Sequence, residues 1–218
     1  VFGLYCKRDV TVLDYGKNGA SSKSFYDKGL FDPVMEQLEK GDYLFIQFGH
    51  NDEKPKADRH TEPDTTYKEY LMKYVNTARE KGAIPVLITP LSRRLFNQDG
   101  TIKNSHTNYP NAMMALAEDE EIACIDLCSR SKELYERTGE INSRRWFMYF
   151  REGRYSNYPE GKADNTHLSY EGAVAMDELV AKELRMIKAI GDELLLPKKE
   201  KQETEEARIT LGGYQNAI

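Results

Sequence analysis

No apolar run in this 218-residue chain lasts more than a few positions, far short of the roughly 20 residues a membrane-spanning helix needs. Nothing near the N-terminus has the pattern of a signal peptide. Positive charge is the scarcer sign: 31 Lys and Arg face 36 Asp and Glu, a formal balance of −5, with no basic stripe of the kind a phosphate backbone requires. Neither nucleic acid nor a membrane is an expected partner. Cysteine is sparse and odd in number; Cys6, Cys124 and Cys128 match no zinc spacing and read as free thiols, which leaves the redox compartment open. No strand is followed by Gly-x-Gly-x-x-Gly, which argues against a dinucleotide site, and the absence of Gly-x-x-x-x-Gly-Lys-Ser/Thr excludes a P-loop. His50 with Asp52, or His60 with His106, lacks the clustered spacing of metal ligands, so no metal is expected. There are no internal repeats. The first residue is Val rather than Met, as in a processed product or a fragment.

What is present is enough chain for one α/β domain that buries about two-thirds of its unfolded surface. "DVTVLDY" (Asp9 to Tyr15) is rich in β-formers and predicts a strand running into a glycine-containing loop. Asp32-Pro33 has the form of an N-cap before a short helix, with Gly41 as its C-cap glycine. "DYLFIQF" (Asp42 to Phe48) predicts a central strand buried on both faces. Thr66-x-x-Glu69 has capping-box form, and Tyr67, Tyr70, Leu71, Tyr74, Val75 and Ala78 recur at helical spacing up to Gly82. "AIPVLITP" (Ala83 to Pro90) and "IACIDL" (Ile122 to Leu127) are further strands, separated by a helix starting near Pro110. One long helix runs from Ser169 to about Ile190, with Ala173, Met176, Val180, Leu184 and Ile187 as its inner face. Strand alternating with helix predicts a parallel sheet covered by helices. The domain is placed at residues 1–196; the charged run after Pro197 reads as a solvated tail or linker over 197–218.

In such a sheet the chemistry collects where loops converge at the carboxyl ends of the strands. The first loop offers Gly19 among serines; the second, "FGHND", offers Gly49, His50, Asn51 and Asp52; the third, Ser92, Arg93 and Arg94; a late loop, "ADNTHLS", offers Asp164 and His167. Asp-x-x-His suits a carboxylate that fixes an imidazole tautomer so that the other nitrogen acts as base, or else a simple helix cap by Asp164 or Ser169. Asn51 is a turn residue or an oxyanion donor, with the Gly19 N–H aimed at the same point. Two donors with a His/Asp pair suggest acyl transfer.

Four blocks together, "NGASSKSF" (Asn18 to Phe25), "GDYLFIQFGHND" (Gly41 to Asp52), "LITPLSRRLF" (Leu87 to Phe96) and "NYPEGKADNTHLSYEGA" (Asn157 to Ala173), resemble the SGNH (GDSL-type) hydrolases, most of all the rhamnogalacturonan acetylesterase group. The resemblance covers about residues 9 to 190. It implies a three-layer α/β/α flavodoxin-like fold with a parallel sheet, and removal of acetyl groups from pectic polysaccharide by a serine nucleophile. By position it gives Asp164 and His167 the roles of catalytic acid and base, Gly19 and Asn51 the oxyanion hole, and implies no metal or organic cofactor. It further implies an acetylated polysaccharide substrate and a secreted or periplasmic setting. Acetylated xylan or short acyl esters are other substrates within the family, and a catalytically silent carbohydrate-binding or scaffold domain is the alternative outside it.

The departure lies in the first block. Gly-Asp occurs only as Gly41-Asp42-Tyr43 and Gly191-Asp192-Glu193, never before serine, so the chain is read as starting after the nucleophile strand. A missing inner strand calls for a replacement: pairing of Val10 to Tyr15 with Tyr43 to Phe48, strand exchange in a homo-oligomer, a stretch beyond this sequence, or the tail segment "ARITLGGY". Ser21 and Ser22, which lie on the oxyanion side and would have to reach His167, are either substitute nucleophiles or hydrogen-bonding groups of the loop. Arg93 and Arg94 are placed at the site mouth, to hold uronate carboxylates or to make surface ion pairs. Trp146, Tyr149, Tyr155 and Tyr158 are divided between sugar stacking and core packing, with Tyr158 assigned to substrate.

Overall fold

The computed structural model describes residues 1–197, so the expectations for the charged tail over 197–218 and for "ARITLGGY" lie, from residue 198 on, outside the described residues. The chain divides into two compact units, Tyr15–His167 and the pairing of Val1–Asp14 with the chain from Leu168 onward.

Within the larger unit, β1 (Tyr43–Ile46), β2 (Ile84–Ile88) and β3 (Ala123–Ile125) form a parallel sheet in that order, with Phe45 opposite Val86 and Leu87 opposite Cys124. Among the described residues β2, not β1, is the middle strand, and it is the better buried of the two. Helix α3 (Lys68–Lys81) follows β1 and α4 (Tyr109–Asp119) follows β2, as βαβ connections require. Tyr67, Leu71, Tyr74 and Val75 pack with Ile46, Leu87, Tyr109, Met113 and Leu116 into one core, which Phe25, Phe31 and Val34 join from α1 (Ser22–Asp27) and α2 (Asp32–Gln37). The helical stripe read from the sequence is that core face, and Gly82 ends α3 in the left-handed conformation at φ 71°.

Local signals were less exact. Phe31, not Asp32, occupies the N-cap of α2, and the helix closes at Leu38, so Gly41 lies beyond it. The Thr66–Glu69 capping box does not form, because a π-helical turn over Pro63–Tyr67 leads into α3 and the Thr66 hydroxyl instead accepts from the Glu62 N–H at 2.8 Å. Asp9 to Tyr15 is no strand: the segment is irregular, with Val12 and Leu13 46% and 59% exposed. β-forming side chains express a preference only where a neighbouring ladder engages their backbone. The proposed pairing of this segment with Tyr43 to Phe48 is therefore absent.

After β3 come α5 (Leu127–Thr138), the short α6 (Glu140–Ser143) and a two-stranded ribbon, β4 (Phe147–Phe150) with β5 (Lys162–Leu168). The late "loop" that carries Asp164 and His167 is thus a strand. Its alternation is masked by Asp, Asn, Thr and His, all poor hydrophobic markers of a buried face.

In the smaller unit, α7 (Tyr170–Met186) starts at Ser169, whose hydroxyl accepts from the Gly172 N–H at 3.1 Å, and buries Met176, Val180, Ala181 and Leu184. The expected single helix breaks at Ile187, and α8 (Lys188–Leu194) folds back so closely that a Cβ on Gly191 would stand 2.6 Å from the Leu184 carbonyl oxygen. The N-terminal segment joins the pair through Tyr5 to the Val174 carbonyl (3.1 Å) and a bridge from Cys6 to Leu195. Burial on α7 pushes the Asp177 carboxyl up to about 6. Because an unfolded Asp titrates near 3.9, this group makes the fold less stable as pH rises from about 4 through 6. Asp177→Asn is expected to raise the melting temperature at pH 7 and to leave it nearly unchanged at pH 4, read by circular dichroism at the two pH values.

Candidate active site

β1 hands over to the turn Phe48–Asp52. Gly49 sits at φ 135°, where a side chain is strained, and a Cβ there would lie 2.8 Å from the Pro90 ring, so only glycine lets this turn approach the end of β2. Asp52 is fully buried. Its carboxylate accepts from the N–H groups of Gly49 (3.0 Å) and Ser22 (3.1 Å), from the Ser22 hydroxyl and from the Thr61 hydroxyl (3.1 Å). Burial raises its carboxyl above the usual range, against the pull of these donors. Asp52 therefore clamps the turn to the start of α1 rather than facing substrate.

That clamp brings the two expected oxyanion donors together. Asn51 Nδ2 donates to the Ala20 carbonyl at 3.0 Å, one residue from Gly19, and the amide keeps a second proton. Gly19 stands at φ 79° with nothing within 4 Å of a Cβ position, so the backbone conformation, not crowding, selects glycine. Ser21 and Ser22 are fully buried. Ser21 caps α1 in a reciprocal box with Ser24, and Ser22 is spent on Asp52, which removes both as substitute nucleophiles.

On β5, the Asp164 carboxylate folds back over its own strand. Oδ1 accepts from the N–H groups of Thr166 (2.7 Å) and His167 (3.0 Å), and Oδ2 meets His167 Nδ1 at 2.7 Å. Burial alone would raise Asp164, yet the donors outweigh it and hold the carboxyl at about 2. A carboxylate at Nδ1 makes that nitrogen the protonated one and leaves Nε2 basic, on a side chain that is 55% exposed. Ser169, and not Asp164, supplies the helix cap that was the other expectation for this motif.

Arg93 and Arg94 both engage protein partners, and Arg94 is too buried for the surface ion pair that was its other expectation. Arg93 ion-pairs with Glu53 and donates to the carbonyls of Ser105 (2.9 Å) and His50 (3.3 Å). Arg94 is only 2% exposed; its guanidinium donates to Ser143 Oγ (3.0 Å), to Asn165 Oδ1, to Tyr149 (3.4 Å) and to the Glu140 carbonyl, and its N–H to the Asn165 carbonyl (2.9 Å). One arginine thus reaches the turn after β1 and the next reaches the strand of Asp164 and His167, so the pair links the two segments. Asn165, Tyr149 and Ser143, which complete this bridge, escaped the sequence because nothing in their spacing marks acceptors for a buried cation.

His50 packs edge-on against His106 at 4.5 Å between ring centroids. Burial, with the cationic or polar neighbours His106 and Arg93, pushes its imidazole down to about 3. It stays neutral near pH 7 and is only weakly basic. Of the four late aromatics, Trp146 is buried, Tyr149 donates to Asn165 Oδ1 at 2.6 Å, Tyr155 is exposed and Tyr158 is half-buried against Phe150.

The parallel sheet with its helices is the fold of the SGNH hydrolases. No family model matches the chain. It is 43% identical over 181 residues to the rhamnogalacturonan acetylesterase RhgT of Bacillus subtilis (strain 168), covering 83% of this chain and 77% of the relative. A probable rhamnogalacturonan acetylesterase of the same organism, YesY, is 38% identical over 184 residues, covering 84% and 80%. The crystal structure of YxiM from Bacillus subtilis matches with a TM-score of 0.70 at 25% identity, over 83% of this chain and 47% of that longer one. The chain belongs to the rhamnogalacturonan acetylesterase family.

Two outcomes test the geometry. Arg94→Met strands several buried acceptors at once and is expected to cost about 2–4 kcal/mol in urea unfolding, with Arg94→Lys recovering little because an ammonium lacks the planar fork. The depressed Asp164 contributes stability above the ordinary carboxylate range near pH 4 that is lost as pH falls toward 2. Asp164→Asn is therefore expected to flatten the stability profile between those pH values, measured by urea midpoints across the range.

Proposed function

We propose that this chain carries the acid–base pair and the oxyanion donors of a serine-type carbohydrate esterase that removes acetyl groups from rhamnogalacturonan. The observation that carries the reading is the Asp164–His167 pair: a bound carboxylate on Nδ1 and an exposed Nε2 form a base with its orienting acid. A serine hydroxyl attacks the acetyl carbonyl and gives its proton to His167 Nε2. Electron density moves onto the carbonyl oxygen, where the Gly19 N–H and the second Asn51 proton receive it. Collapse breaks the bond to the sugar oxygen, which takes the proton from His167 Nε2 and leaves as a hydroxyl, and water repeats the sequence on the acetyl-enzyme. Asp164 stabilises the imidazolium in both halves. Tyr158 is assigned to sugar contact. Such a substrate places the protein outside the cytoplasm, secreted or periplasmic, in pectin breakdown, and strand exchange between copies remains part of this proposal.

The serine is not present in Gly-Asp-Ser form in these 218 residues, and Ser21 and Ser22 are buried. These facts favour one second reading, a carbohydrate-binding domain without turnover. Residues 1–218 alone are expected to hydrolyse p-nitrophenyl acetate no faster than their His167→Ala variant. Fused behind a strand–helix segment bearing Gly-Asp-Ser, the chain is expected to release acetate from acetylated rhamnogalacturonan. In that fusion Asn51→Ala should lower kcat by about 100- to 1,000-fold, and His167→Ala by more. Binding of the polymer with no acetate release by the fusion would select the binding domain; His167-dependent turnover by the chain alone would place a nucleophile within it.

A further inference from the structure

We propose that the loop joining β4 to β5 is a subsite for a carboxylate-bearing polysaccharide, in which Arg154 and Lys162 pair with uronate carboxylates while Tyr155 and Tyr158 pack on sugar faces. The inference deepens the proposed function and rests on it only for the acetyl chemistry.

Charge is segregated here. From residue 144 to 162 there are five cations, Arg144, Arg145, Arg151, Arg154 and Lys162, against two carboxylates, Glu152 and Glu160, a surplus of three positive charges in a chain whose balance is −5. Residues 151–157 are all exposed, and neither Arg151 nor Arg154 has an ion-pair partner among the described residues. Cations and rings are interleaved: Arg154 lies 5.6 Å from the Tyr155 ring centre and Lys162 Nζ 4.8 Å from that of Tyr158. Phe150 joins the two tyrosines, at 4.7 Å from Tyr155 and 5.8 Å from Tyr158. Tyr155 is still 47% exposed, more than a packing role calls for.

The loop is also built. Gly153 donates to the Pro159 carbonyl (2.8 Å), Tyr158 to Tyr155 (2.9 Å) and Gly161 to Tyr158 (3.0 Å), and a Cβ on Gly161 would strike the Phe150 carbonyl at 2.5 Å. Its position gives the direction of the ligand. Lys162 Nζ stands 3.5 Å from Asp164 Oδ2, the same oxygen that holds His167 Nδ1, so the patch begins at the acid–base pair and runs outward through Tyr158 to Arg154. Rings rimmed by cations, of which Arg154 has no ion-pair partner among the described residues and Lys162 shares Asp164 with His167, match a polymer whose sugar rings alternate apolar faces with anionic edges. A neutral glycan would leave the cations idle, and a nucleic acid would face the repulsion of an acidic protein.

The test is binding, which needs no turnover. Isothermal titration of the full chain at low salt is expected to give polygalacturonate an affinity about tenfold above that of its carboxyl-reduced form, since each exposed charge pair is worth up to severalfold. Arg154→Ala with Lys162→Ala should erase most of that difference, and Arg154→Ala alone, at a fully exposed position, part of it. Tyr155→Ala should weaken both polymers alike. Equal affinity for the reduced polymer, no effect of Arg154→Ala, or equally tight binding of dextran sulfate or oligothymidylate overturns the proposal. Failure of the esterase reading looks different: intact preference of the chain for polygalacturonate, with no acetate released from acetylated rhamnogalacturonan by the fusion that bears Gly-Asp-Ser.

Discussion

A guanidinium taken out of water has to find an acceptor for nearly every N–H it carries, since each one left unmet costs much of a lost hydrogen bond. Arg94 meets this condition only if three stretches of chain hold fixed positions around it: α6 through Ser143 and Glu140, β4 through Tyr149, and β5 through Asn165. Asn165 follows Asp164 directly, so the geometry of the acid–base pair depends on the arrangement that Arg94 enforces. Arginine suits this because it loses no charge on burial and because its donors are set in a plane.

Asp52 does the same on the other side with the opposite sign. As an acceptor-only group it gathers N–H and O–H donors from the Gly49 turn, the start of α1 and Thr61, and thereby sets Asn51 beside the Gly19 loop. Two buried side chains, Asp52 and Arg94, accordingly organise the two segments through protein partners. Between them run Arg93 and Glu53, whose ion pair ties the loop after β2 to the residue following Asp52. Electrostatic catalysis needs donors that are already oriented when charge develops, and this framework provides that orientation from the interior.

Much of this was legible in the sequence, and the reasons for the rest are physical. The three parallel strands and the α3 stripe show themselves because burial on a regular period demands apolar residues. Asn51 shows itself as a polar group in the turn after a strand, whereas Gly19 follows no strand among the described residues and Asp164 and His167 lie within one. The partners of Asp52 and of the two arginines were not visible in the sequence. A pair of charges in a loop is ordinarily solvated, and nothing local reveals that acceptors for Arg94 arrive from as far as Asn165, 71 positions away. The strand expected at Asp9 to Tyr15 failed for the complementary reason, because strand formation depends on a partner that local composition does not supply. The β4–β5 ribbon was hidden by the polar residues that give it its interest.

Through Asn165, Arg94 holds the Asp164–His167 pair in its hydrogen-bonded geometry. The most direct measurement is the tautomer of His167 at neutral pH, read from long-range nitrogen–proton correlations in the NMR spectrum of the wild-type chain and of Arg94→Met. The account predicts a proton on Nδ1 and a bare Nε2 in the wild type, with that preference lost in the variant while the fold persists. A wild-type His167 protonated on Nε2, or a tautomer indifferent to the loss of Arg94, would contradict it.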